Sequence, residues 1–381
     1  MIPYGRQDIR QEDIDQVVDT LRSDFLTQGP RVPAFEGAVA AATAARHAVA
    51  VNSATSALHI ACLALGLGPG DILWTSPITF VATANVGLLC GAEVDFVDID
   101  AETFNMDPFA LAEKLADAAR DGRLPKVLIP VHMCGQSCDM AAIGALARQY
   151  GVHVIEDASH AIGGRFQGGA VGDCRHSDIT VFSFHPVKIV TTAEGGVATT
   201  NDAELDEKMR LFRSHGVTRD PALMHDESEG GWYYQQVELG LNYRMTELQA
   251  ALGVSQMARL EEYVGRRNAL ADRYDAALGN LPLKRPGRQA ETLSAFHLYV
   301  ICVEAARRRE IFEALRKAGI GVNVHYIPVH TQPFWRARGF GAGMFPIAES
   351  YYAGAISIPL FPGLSDRDFG AVVTEVGKAL G

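Results

Sequence analysis

A chain of 381 residues is too long for one small core and calls for two lobes, or one large α/β domain with a smaller companion. Hydrophobic residues at 48% and charged residues at 21% match a globular protein in water. The formal charge of −11 leaves no room for the clustered Lys and Arg of a phosphate-binding surface, so no nucleic-acid partner is expected.

Cys62, Cys90, Cys134, Cys138, Cys174 and Cys302 stand mostly in apolar context, as reduced packed thiols do. Cys134 and Cys138 are the only close pair, and no second pair completes a tetrahedral zinc set, so no metal site is expected. Residues 1–6 lack the apolar core of a secretion signal. The most apolar long stretch, 38–51, is interrupted by Arg46 and His47 and is too short to span a bilayer. A cytoplasmic protein with no membrane partner is the expectation.

The periodicity over residues 12–21 predicts an amphipathic helix with Ile14, Val17, Val18 and Leu21 on one face. After a loop marked by Gly29-Pro30, a second helix over 32–44 leads into a strand over 47–51. Ser53 then stands as an N-cap, so that the free N–H groups of Thr55 and Ser56 face any anion at the start of the next helix. A simply capped helix is an equal reading, and His59 falls on its apolar face as a core histidine. Strands over 72–75, 94–99, 126–131 and 152–155 alternate with helices over 80–90, 108–119 and 140–150, which predicts a mostly parallel sheet between helices.

Ligands of such sheets collect at the carboxyl ends of the strands. Three strand exits here carry polar groups: Ser53 to Ser56, Glu156-Asp157, and Ser183-Phe184-His185-Pro186-Val187-Lys188 behind the apolar run 179–182. The glycine pair Gly195-Gly196 then allows a close backbone approach. A helix over 203–214 closes this lobe, and 218–231 read as an irregular surface loop. A single long helix over 246–276 holds the domain junction. The second lobe has a strand over 297–303, a basic helix over 305–317 whose Arg307, Arg308 and Arg309 face solvent, a strand over 356–360 and a last helix from Asp366.

A lone loop lysine is ordinarily a surface residue. Lys188, at a strand exit with an acid and a helix start at neighbouring exits, suits pyridoxal phosphate. That cofactor needs an amine, an acid at the ring nitrogen, a phosphate cradle and a group over the ring. Lys188 supplies the amine, Asp157 the acid, Ser183 with Thr55 and Ser56 the cradle, and Phe80 the stacking ring. Taken singly, Asp157 reads equally as a turn aspartate, and for Phe80 a core position is the commoner fate.

Four ordered blocks carry a resemblance: Glu156-Asp157-Ala158-Ser159-His160-Ala161, Ser183 to Lys188, Asn52-Ser53-Ala54-Thr55-Ser56-Ala57-Leu58, and Asn242-Tyr243-Arg244-Met245-Thr246-Glu247-Leu248-Gln249. Over residues 4–364 the chain resembles the DegT/DnrJ/EryC1/StrS sugar-nucleotide aminotransferases. The resemblance implies an α/β protein of fold type I. Its large domain (1–255) has a mostly parallel mixed sheet between helices, and a smaller C-terminal α+β domain (256–381) follows. It further implies a homodimer with shared active sites.

For the cofactor, pyridoxal phosphate, it implies Lys188 as the residue joined to it, Asp157 at the ring nitrogen and His160 at the ring hydroxyl. Ala54, Thr55, Ser56, Phe80 and Ser183 complete the set, with Asn242 reaching the phosphate of the other subunit. Many members read Ser-Gly-Thr-Ala where this chain has Ser53-Ala54-Thr55-Ser56, a departure that keeps the hydroxyls. Residues 53–57, 232–234 and 321–330 are most similar to the 4-aminotransferases of pseudaminic acid biosynthesis. That similarity implies L-glutamate as donor and a UDP-linked 4-keto-6-deoxy-N-acetyl sugar as acceptor. It places Tyr4, Asp24, Phe25, Leu26, Thr27, His185, Asn323, Val324, His325 and Tyr326 at the substrate. A bacillosamine- or perosamine-type 4-keto sugar is the alternative. Dehydratase relatives replace the lysine, commonly by histidine, so Lys188 argues for amine transfer.

Overall fold

The computed structural model describes all 381 residues. An N-terminal arm carries α1 (Gln11–Leu21) and α2 (Arg31–Thr43). Then come β1 (His47–Val51), α3 (Ala54–Ala64), β2 (Ile72–Thr75), α4 (Ala82–Leu89), β3 (Glu93–Phe96), α5 (Pro108–Asp121), β4 (Val127–Ile129), α6 (Met140–Tyr150) and β5 (His153–Asp157). A hairpin of two-residue strands, β6 (Arg165–Phe166) and β7 (Gly169–Ala170), precedes β8 (Ile179–Ser183), β9 (Gly196–Thr200) and α7 (Ala203–Arg213).

The central sheet has the order β1-β9-β8-β5-β4-β2-β3. Its β2, β3, β4, β5 and β8 pair in parallel, whereas β9 runs antiparallel to both β1 and β8. Helices cover both faces, so β8 and β9 are buried throughout and read as unbroken apolar or small-residue runs instead of alternating ones. That is why β9, with its Gly-Val-Ala-Thr-Thr composition, carries no strand signal of its own. It becomes a strand because β1 and β8 leave a ladder position between them.

Beyond a short ribbon, β10 (Val217–Thr218) with β11 (Gln235–Gln236), residues 219–231 run as turns and loop, mostly exposed. The single long helix expected over 246–276 is two helices, α8 (Glu247–Met257) and α9 (Leu260–Ala277). Arg259 leaves helical geometry at φ −110°, ψ 10°, and its guanidinium reaches Asp13 of α1 at 2.7 Å. The buried Asp13 also receives Gln256 at 2.8 Å, so the polar side of α1 faces α8. Of the expected apolar face, Ile14 and Leu21 stay exposed in the single chain, which corrects an amphipathic reading that would bury them.

The C-terminal part adds β12 (Thr292–Leu293), β13 (Tyr299–Cys302), α10 (Arg308–Lys317), α11 (Pro333–Arg336), α12 (Pro346–Gly354), β14 (Ala355–Ile358) and α13 (Asp366–Leu380). Tyr274, Tyr299, Ile311, Ile356, Phe369 and Val376 share one core there. Val300, Trp335, Phe345 and Tyr351 pack instead into the core of the main sheet. The arginine run is not a plain solvated face. Arg307 donates to the last carbonyls of α13, at Ala379 and Leu380, where a cation complements the helix end, and Arg308 lies 4.9 Å from the Tyr352 ring. No helix is long and apolar enough to cross a membrane.

Candidate active site

The last two residues of β5 point to opposite faces, as strand geometry requires. Glu156 turns away from the sheet's ligand edge and is consumed in a buried network. His132 Nε2 meets it at 2.6 Å, the Thr180 hydroxyl donates to it at 3.2 Å, and the Cys138 N–H donates to His132 Nδ1 at 3.1 Å. Asp157 faces the edge. The Thr83 hydroxyl donates to its Oδ2 at 2.7 Å and the Ser159 N–H to its Oδ1 at 3.1 Å, which fixes the carboxylate plane.

Lys188 sits half-buried in a turn closed by its own N–H donating to the His185 carbonyl at 2.9 Å. Burial pushes its ammonium down to about 8, partly offset by the nearby charge of Asp157. The same lysine, after burial itself, holds three imidazoles below their usual range: His160, His297 and His325, the last at about 4. His160 Nε2 meets the Tyr326 hydroxyl at 3.0 Å, and His325 Nδ1 meets the Ser357 hydroxyl at 2.7 Å. The Tyr4 ring lies 5.4 Å from His325 and the Phe80 ring 6.3 Å from Tyr326. Phe80 is 60% exposed, open to cover by a flat ligand and not a core residue.

Beside this cluster three chain segments converge on one glycine. Gly196 pairs with Val51 on one side and Ser183 on the other. A Cβ there would come within 2.5 Å of the Ser53 carbonyl group and 2.6 Å of the Ala54 nitrogen. Only glycine lets the start of α3 lie this close to β9. Ser53 caps α3 as expected, but its hydroxyl takes the Ser56 N–H at 3.1 Å while the Ser56 hydroxyl donates to Asn52 at 2.6 Å. The N–H groups left for an anion are therefore those of Ala54 and Thr55, not of Thr55 and Ser56. The Ser183 hydroxyl makes no hydrogen bond within the chain. Unspent helix N–H groups and an unspent hydroxyl on neighbouring strand exits are the donors that a phosphate requires. The chain thus offers anion donors, acid, amine and an open ring face, and this donor set fits pyridoxal phosphate.

Not every expected residue joins the cluster. Asn242 is exposed on the surface, bridged to Ser214 through its backbone. Asp24, Phe25, Leu26 and Thr27 are exposed, with the Leu26 carbonyl receiving the Glu247 N–H at 3.0 Å. His185 is exposed 4.0 Å from Glu194, Asn323 is exposed, and Val324 is half-buried. Thr83 and His297 were invisible beforehand. Thr83 is 74 residues from the aspartate it orients, and the only hint was its spacing from Thr79, whose hydroxyl lies 2.8 Å away. His297 opens an apolar strand and carries no motif.

Fold and site together define a pyridoxal-phosphate-dependent aminotransferase. The profile of one family covers nearly the whole sequence: the chain belongs to the DegT/DnrJ/EryC1/StrS aminotransferase family, matched over residues 7–377. It is 41% identical over 382 residues to the spore coat polysaccharide biosynthesis protein SpsC of Bacillus subtilis, covering 98% of this chain and 96% of that protein. It is 36% identical to the UDP-4-amino-4,6-dideoxy-N-acetyl-beta-L-altrosamine transaminase of Campylobacter jejuni, covering 97% and 94%. The solved structure of Helicobacter pylori PseC, an aminotransferase involved in the biosynthesis of pseudoaminic acid, is 32% identical with a TM-score of 0.91, covering 100% of this chain and 99% of that one. The enzyme is a sugar transaminase that uses pyridoxal phosphate.

Proposed function

We propose that this enzyme moves the amino group of L-glutamate to the C4 ketone of a UDP-linked 4-keto-6-deoxy-N-acetylhexosamine, as a cytoplasmic homodimer in a pathway of the pseudaminic acid type. The amine chemistry is carried by one observation, the half-buried Lys188 amine standing free beside Asp157 at the strand exits. The sugar assignment is supported by the Campylobacter relative, similar over almost its full length.

Lys188 Nζ is the residue that holds the cofactor and, once released, takes the proton from the α-carbon of the amino donor. Its lowered pKa leaves a usable share of neutral amine near neutrality. In the second half of the cycle the same atom returns a proton to the sugar carbon, and the face it occupies sets the configuration there. Asp157, held by Thr83 and Ser159, would accept a hydrogen bond from the protonated ring nitrogen. When bound, pyridoxal phosphate supplies an electron-withdrawing ring that stabilises the charge left on carbon. Ala54, Thr55 and Ser183 would hold the phosphate, together with Asn242 from a second copy of the chain, and Phe80 would cover the ring. Tyr4, His325 and Tyr326 wall the adjacent space for the sugar, with His185 and residues 24–27 and 323–324 at its rim.

The higher identity is to SpsC, whose name gives spore coat polysaccharide biosynthesis and no acceptor, so the second reading is a different nucleotide-linked 4-keto sugar as acceptor. A panel of UDP- and dTDP-linked 4-keto sugars incubated with glutamate separates the two. Reaction with the UDP-linked N-acetyl sugar is expected, and Lys188→Ala should abolish turnover. Reaction of dTDP sugars alone would overturn the sugar assignment and leave the amine transfer standing.

A further inference from the structure

His297 lies just ahead of β13 and is 4% exposed. Its main chain is pinned on two sides. Arg267, itself buried, donates to its carbonyl at 3.2 Å, and the flanking Ala295 and Leu298 N–H groups reach the Gly135 and Cys134 carbonyls at 2.9 and 3.3 Å. The imidazole is therefore rigidly placed, 4.4 Å from the ring of His160. Yet neither nitrogen makes a hydrogen bond within the chain, and Nδ1 is sealed from solvent without a partner. A buried polar atom left unmatched costs stability, and in a native structure it needs a reason. A ring required only for packing would be served better by phenylalanine. With Nδ1 sealed, Nε2 is the nitrogen able to reach a bound molecule. Burial and the charges of Lys188 and Arg267 keep the ring neutral, so it retains one donor and one acceptor.

We infer that His297 is a further residue of the cofactor site, whose Nε2 forms a hydrogen bond to an oxygen of bound pyridoxal phosphate beside His160. This rests on the cofactor assignment above. The test is the dissociation constant of pyridoxal phosphate from the apoprotein, read by fluorescence quenching, together with the melting temperature of the apoprotein. His297→Phe keeps the ring and removes the nitrogens. It should weaken cofactor binding about tenfold, the loss of one hydrogen bond, while the apoprotein melts at or above the wild-type temperature because an unmatched buried group is gone. His297→Gln, which restores a donor and an acceptor, should stay within about threefold of wild type on the same reasoning.

Equal affinity in wild type and His297→Phe would overturn the inference, and so would equal losses in the phenylalanine and glutamine variants, which would make the ring's packing its role. If the phenylalanine variant does not fold, His297→Leu takes its place in the comparison. A wild-type apoprotein that fails to bind pyridoxal phosphate at all would instead refute the cofactor assignment.

Discussion

Lys188 shows how one residue acquires its chemistry from its surroundings. An exposed lysine is almost wholly protonated at neutral pH and is a poor nucleophile. Burial favours the neutral amine and moves the titration down to about 8, even though Asp157 pulls the other way. The attachment of pyridoxal phosphate to the apoprotein, followed by absorbance, should therefore quicken with pH around a midpoint near 8, because below it the amine is protonated and unreactive. A rate that rises only towards the ordinary lysine value would mean that burial does not act on this group. Thr83 illustrates the complementary case. It has no reactive chemistry of its own, but its hydroxyl determines how the carboxylate of Asp157 is presented.

Among the elements, the meeting of β9 with the start of α3 decides where an anion can sit. The cap on α3 is formed by Ser53, Ser56 and Asn52, and it leaves the N–H groups of Ala54 and Thr55 unspent. Gly196 permits the approach that brings Ser183 alongside. Gly196→Ala would drive a methyl group into the Ser53 carbonyl and should cost about 1–3 kcal/mol of stability. The displaced helix start should lower cofactor affinity about tenfold, the equivalent of roughly 1.4 kcal/mol. Thermal unfolding and cofactor titration of that variant check both, and wild-type values for each would show that the close approach is not needed. The break between α8 and α9 has a similar origin. Arg259 leaves the helical path at the point where its guanidinium reaches Asp13 across the fold.

Over the whole molecule, two consequences are open to measurement. The first is acid lability. His325 titrates near 4 in the fold against about 6.5 unfolded. Its stabilising share is therefore complete above pH 6.5 and lost as the pH falls towards 4, a loss of about 3 kcal/mol. His160 and His297 shift in the same direction. The apoprotein's melting temperature should fall steeply over that window and less so in His325→Asn. A flat profile would contradict the buried neutral imidazoles. The second concerns assembly. Phe25, Leu26, Trp232 and Leu239 are exposed on one chain, as is Asn242. If Asn242 serves the other subunit, mixing inactive Lys188→Ala with an Asn242→Asp variant should restore activity, since one site of each mixed dimer is then intact. No recovery on mixing would place each site within a single chain.

The α/β class and the alternation of strands and helices up to β5 were determined by the sequence alone, whereas Lys188, Asp157 and Ser183 stood out there only as a set of candidates, to which the family resemblance added His160. The alternation depends on local apolar periodicity, and the candidate set on several polar groups falling together at strand exits. The antiparallel β9, the split of α8 from α9, the side of α1 that faces the protein, and the placement of Thr83 and His297 were decided only by the tertiary structure. Each depends on a partner distant in the chain: β1 and β8 for β9, Asp13 for Arg259, Asp157 for Thr83, His160 for His297. Local sequence holds no record of such pairings, because burial and hydrogen-bond geometry create them only when the segments meet.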